Sequence, residues 1–153
     1  MRTPASIAGH PIHPMLVPLP IGLWVFSLVC DLIRVFGGTD PAWSTVALYC
    51  IGGGIVGALL AAVAGVIDLL SLPVGIMRRT ALIHMSINLG VVVLYVINLW
   101  MRAGTPDNLR TPFVLSLIAI GLLLISGWLG GKMVYELGVA VDTTSTEATM
   151  RRP

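Results

Sequence analysis

A chain of 153 residues with 56% hydrophobic and only 10% charged side chains has the size of one compact domain but not the surface of a soluble one. Soluble domains carry about 25% charged residues, whereas lipid needs no polar covering, so the deficit points to a membrane and not to disorder. The formal net charge of +2 is small and scattered, which argues against a nucleic-acid partner.

At the N-terminus, Arg2 precedes a proline-interrupted stretch, and no A-x-A-like site follows the first apolar run. That run is therefore expected to be retained and to direct insertion rather than to be cleaved. Gly9-His10-Pro11-Ile12-His13-Pro14-Met15, followed by Pro18 and Pro20, leads into it. Pro14 suits the first turn of a helix. Pro18 and Pro20 fall where backbone donors are needed, so the helix must start late or bend.

Four apolar runs follow in order, from Leu16 to Phe36, Trp43 to Leu72, Ala81 to Trp100 and Thr111 to about Leu137. Each suffices for a bilayer, which takes roughly 20 residues of helix, and the absence of alternating polarity leaves helices as the spanning structure. Gly37-Gly38-Thr39-Asp40-Pro41 breaks the chain after the first run. Pro73, Gly75, Arg78 and Arg79 mark the second turn, and Gly104 to Asn108 the third. Such short links predict an all-α membrane protein, an antiparallel up-down four-helix transmembrane bundle over residues 1–141. A polar tail over residues 142–153 reads as disordered.

Four spans put both termini on one side. Arg2, Arg78, Arg79, Lys132, Arg151 and Arg152 share that side, against Arg34, Arg102 and Arg110 on the other. The positive-inside rule then places the termini in the cytoplasm, although without the two tail arginines the margin is one charge.

Gly53, Gly57, Ala61 and Gly65 recur at four-residue spacing in the second span, and Gly127 and Gly131 repeat the pattern in the fourth. Small residues let backbones approach where lipid gives no hydrophobic drive. Packing within the chain is the favoured reading, with a homodimer through these faces as the alternative. Cys30 and Cys50 belong to no C-x-x-C pattern. They would lie at comparable depth, so they could pair on an oxidising face, but two small buried hydrophobes is the preferred reading.

The candidate site gathers near the termini-bearing face. His10 and His13 precede the first span, Asp68 lies near the exit of the second and His84 just inside the third. Asn88, Tyr95 and Asn98 continue from His84 at helical spacing, a polar stripe that must face the bundle interior or a cavity. Ionisable groups inside a membrane are a functional-site hypothesis by default. A structural network joining Asp68, His84 and a backbone group competes with cofactor binding.

On G-H-P-I-H-P-M-L-V-P-L-P-I-G at Gly9 to Gly22, G-V-I-D-L at Gly65 to Leu69, His84, and G-W-L-G-G-K-M-V-Y-E-L-G-V at Gly127 to Val139, the chain resembles a bacterial family of four-helix membrane domains of unknown function. The resemblance covers nearly the whole chain and implies a bacterial inner-membrane location. It also implies an electron-transfer context, because some members look fused to, or encoded beside, Rieske-type iron–sulfur domains or quinoprotein sugar dehydrogenases. In that family a histidine often stands where this chain has Leu137, a departure that leaves a fourth histidine without a counterpart.

Three functions compete. The leading one is a redox module with one b-type haem, held axially by His84 and by His13 or His10, with Asp68 and Asn88 nearby. A two-haem cytochrome with four membrane histidines is excluded by a total of three histidines. The second is a copper site built on His10, His13, Met15 and His84, or a quinone site in which Asp68 and His84 handle protons. The third is a non-catalytic anchor. No nucleophile elbow, H-E-x-x-H or P-loop occurs, so a stand-alone hydrolytic enzyme has no support.

Overall fold

A computed structural model describes residues 3–104 and 109–141. The polar tail, Arg2 and the Thr105–Asn108 part of the third turn lie outside them. A two-stranded hairpin, β1 (Ser6–Ile7) and β2 (His10–Pro11), precedes five helices. These are α1 (Ile12–Leu16), α2 (Pro18–Val35), α3 (Ala42–Ser71), α4 (Ile76–Gly104) and α5 (Arg110–Tyr135). The hairpin was not foreseen. Its two-residue turn uses Ala8 (φ 50) and Gly9 (φ 81), both left-handed, which matches the twist of a tight hairpin.

α1 and α2 form one membrane span, Ile12–Val35, with a break at Val17. The physical reason is donor loss: Pro18 and Pro20 have no N–H for the carbonyls of Pro14 and Leu16. Val17 N–H to the His13 carbonyl (3.1 Å) and Ile21 N–H to the Val17 carbonyl (3.4 Å) carry the helix across the gap. α2 stops at Gly37, whose φ of 110 no L-residue adopts cheaply. Gly38 N–H then returns to the Ile33 carbonyl at 2.8 Å, closing the six-to-one bond of a Schellman end. The Asp40 carboxylate accepts the Ala42 N–H at 2.8 Å and so caps the start of α3.

α4 starts five residues before the third apolar run, at Ile76, and absorbs Arg78 and Arg79. The breakers end at Gly75 and arginine is a good helix former; Arg78 is half-buried and Arg79 exposed. Helices α3 to α5 have 30, 29 and 26 residues, longer than the roughly 20 that span the hydrocarbon, so they tilt or project.

Each helix packs on its chain neighbour, and α2 also touches α5, which closes the antiparallel ring. The centre is Trp24, Ile51, Ile55, Val91, Tyr95 and Ala119. Trp24 stacks on Tyr95 with ring centroids 4.3 Å apart and planes 10° from parallel. A smaller cluster of Leu69, Leu72 and Ala81, joined by Met133 and Val139, closes the end where the termini meet. Valine, leucine and isoleucine side chains cover the outside, as a lipid-facing surface requires.

The small residues of α3 make the close approach expected of them. A Cβ on Gly53 would stand 3.2 Å from Leu23, and one on Gly57 3.2 Å from Leu19. One on Gly65 would stand 3.0 Å from the His13 ring, and one on Gly54 would fall on the Trp24 indole. Among the described residues a Cβ on Gly127 or Gly131 would meet nothing within 4 Å, and the glycine of α5 that does make a contact is Gly130, against His84. Cys30 and Cys50 are both free thiols.

Candidate functional site

One cavity of about 400 Å³ opens among all four spans in the termini-bearing half of the bundle. Its walls are mainly aliphatic, with Trp24 among them, and its polar lining comes from His13, Asp68, His84, Asn88 and Ser126. The break at Val17 turns His13 onto α3, where its Nδ1 lies 2.8 Å from the Ala61 carbonyl. The close approach at Gly65 makes room for the ring.

His84 projects from α4 towards α5. Its Nδ1 lies 2.9 Å from the Ser126 carbonyl and 2.9 Å from the Ser126 hydroxyl. A carbonyl only accepts, so it assigns the tautomer of both histidines: Nδ1 carries the proton and Nε2 keeps the lone pair. The two rings stand edge to face, with centroids 6.3 Å apart and planes at 84°.

Asn88 sits one turn beyond His84. Its amide nitrogen donates to the Ser126 hydroxyl (2.6 Å) and to the His84 carbonyl (2.9 Å), and lies 3.1 Å from His84 Nε2. The His84 carbonyl can only accept, which fixes the orientation of this amide as well.

Asp68 lines the same cavity but is engaged elsewhere. Its carboxylate accepts the Ala5 N–H at 2.9 Å and thereby ties the N-terminal hairpin to the end of α3. The network that forms therefore differs from the expected one: His84 is satisfied by Ser126 and Asn88, and Asp68 by a backbone amide on the hairpin. His10 and Met15 do not join it. His10 is exposed on β2 with Nδ1 3.1 Å from the Ala8 carbonyl, and Met15 is 64% exposed on α1. Strand geometry at His10 and a helical turn at His13 send the two imidazoles in different directions.

A second polar cluster, near the opposite end, is one the sequence reading missed. Arg102 forms a bidentate pair with Asp31 through bonds of 2.9 and 2.6 Å. The side chains are 8% and 1% exposed. Asn98 accepts from Arg102 Nε at 2.7 Å and donates to the Pro112 carbonyl and the Ser116 hydroxyl. The pair thus crosses from α2 to α4 and is tied to α5. In residue order Arg102 stands out only as a charge flanking a span. The available signal was an acid inside the first apolar run and a base two residues past the end of the third, at the same predicted end of the bundle.

Residues 9–143 match the model of a family described as predicted membrane protein (DUF2231). No curated protein and no solved structure matches the chain.

Proposed function

We propose that this chain, which belongs to that family of membrane proteins, is a one-haem redox module in which His13 and His84 would hold the haem. The observation that carries the reading is the pair of imidazoles on one apolar-walled cavity, each with its Nδ1–H committed to a backbone carbonyl. Histidines that bind metal almost always donate the other ring N–H in this way, which orients the ring and raises the basicity of Nε2.

The donor set favours haem over a bare ion. The two rings, with centroids 6.3 Å apart, reach one cavity from α1 and α4, so both could meet a single group bound there. Among the described residues no group of three His, Cys, Asp or Glu side chains could hold a metal. A bare copper or zinc ion would find two imidazoles and too few further ligands there, whereas a haem would bring its own nitrogens and could be held by His13 and His84.

Bound there, haem would supply reversible one-electron chemistry. The chain's part is to orient both rings through their Nδ1–H bonds, to keep water from the cavity with aliphatic walls, and to present the site near one membrane face. Cytoplasmic termini and a Rieske-type or quinoprotein redox partner belong to the same proposal. A quinone head group fits less well, because its carbonyls need donors and both imidazole Nδ1–H groups are already committed to backbone carbonyls.

The test is an absorption spectrum of protein purified with haem available, oxidised and then reduced. A Soret band is expected that His84→Ala and His13→Ala each remove or shift, while His10→Ala leaves it unchanged. Colourless protein would refute the reading.

A further inference from the structure

Resting on that reading of the cavity, we propose that Asn88 is a gate on His84: its amide occupies the Nε2 lone pair that a metal needs, so His13 is the open ligand and His84 the masked one.

The argument is a chain of forced assignments. Nδ1 of His84 faces the Ser126 carbonyl at 2.9 Å, so it carries the proton and Nε2 is an acceptor. The Asn88 amide nitrogen faces the His84 carbonyl at 2.9 Å, so this end of the side chain is the donor. The same nitrogen stands 3.1 Å from Nε2 and can only donate to it. It has two protons and three acceptors within reach, and the contact to Nε2 is the longest, against 2.6 Å to Ser126. The mask is therefore held firmly by Ser126 and the α4 backbone, yet its bond to Nε2 is the weakest of the set and the first to yield. The Asn88 amide remains satisfied when a metal takes the lone pair. On His13 the Nδ1 bond to Ala61 is equivalent, but among the described residues no amide donates to the other nitrogen. The site is thus asymmetric: ligation at His13 costs no protein hydrogen bond and ligation at His84 costs one.

A net hydrogen bond of this kind corresponds to about a three- to tenfold effect on an equilibrium. Two measurements on the full chain test the gate, one without any metal. In metal-free protein, diethyl pyrocarbonate attacks the unprotonated imidazole nitrogen, and His13 serves as the internal reference. His84 is expected to react more slowly than His13. Asn88→Leu, which keeps the volume and removes the donor, is expected to raise the His84 rate about three- to tenfold. Ser86→Ala, exposed on the same helix with its hydroxyl on the Leu82 carbonyl, lies outside the gate and should leave the rate within about twofold. Haemin titration is the second measurement. Asn88→Leu is expected to bind about three- to tenfold more tightly with a larger low-spin fraction, which a merely structural asparagine would not produce. A His84 that already reacts as fast as His13, or an Asn88→Leu rate equal to wild type, would overturn the gate. If the reagent behaves as expected and no variant binds haemin, the gate stands and the haem reading falls.

Discussion

Arg102→Met isolates what the buried ion pair contributes. The substitution keeps an unbranched apolar side chain and removes donors to Asp31 at 2.9 and 2.6 Å and to Asn98 at 2.7 Å. It leaves the Asp31 carboxylate, 1% exposed, without its cation on the α2 face that meets the bundle. Breaking a buried pair from one side costs about 3–5 kcal/mol. An ordinary hydrogen bond between membrane helices contributes only about 0.6 kcal/mol, so the two cases are well separated. Asp31→Leu is expected to cost less, about 2–3 kcal/mol, because Arg102 lies within one turn of the end of α4 and its long stem can reach water. The double variant should then lie well below the sum, with a coupling of at least about 1.5 kcal/mol. Reversible unfolding in mixed detergent micelles, followed by tryptophan fluorescence, gives all four corners of the cycle. Single variants within about 1 kcal/mol of wild type and additive in the double would refute the claim that this pair fastens α2 to α4.

Gly65→Leu should displace His13, because even a Cβ there would stand 3.0 Å from its ring. The overpacking is expected to cost about 1–3 kcal/mol. It should also lower haemin affinity, whereas Gly52→Leu, whose Cβ meets nothing within 4 Å, should do neither. Asp68→Ala removes the acceptor of the Ala5 N–H and should loosen the hairpin. A bond to a charged acceptor contributes about 1.5–3 kcal/mol, so hydrogen exchange at Ala5 should quicken by about tenfold or more, and unchanged exchange would show that the hairpin is held by other contacts.

Much of the architecture was legible in residue order alone. Hydrophobic runs of bilayer length admit one spanning structure, because every backbone N–H must find its partner within the segment. Turn residues then divide the runs, and Pro18 and Pro20 mark the break at Val17 through the donors they lack. The stripe from His84 through Asn88, Tyr95 and Asn98 announced an inward face, and Tyr95 and Asn98 are indeed fully buried. The small residues of α3 announced a close approach, which proved to be the approach of α2 and of His13.

What the sequence could not decide was which polar groups meet, since meeting depends on the rotation of each helix about its axis and on its neighbours across the ring. Tertiary packing took Asp68 away from His84 and gave it to Ala5. It brought in Ser126, a residue with no distinguishing mark in its run, as the partner of both His84 and Asn88. It parted His10 from His13, three residues away, because a strand and a helix send side chains in different directions. It also joined Asp31 to Arg102 over a separation of 71 residues. Order along the chain determined that polar groups would face inward; only the packed ring decided which of them share a bond, because partnership is set by distance across helices and not by spacing along one.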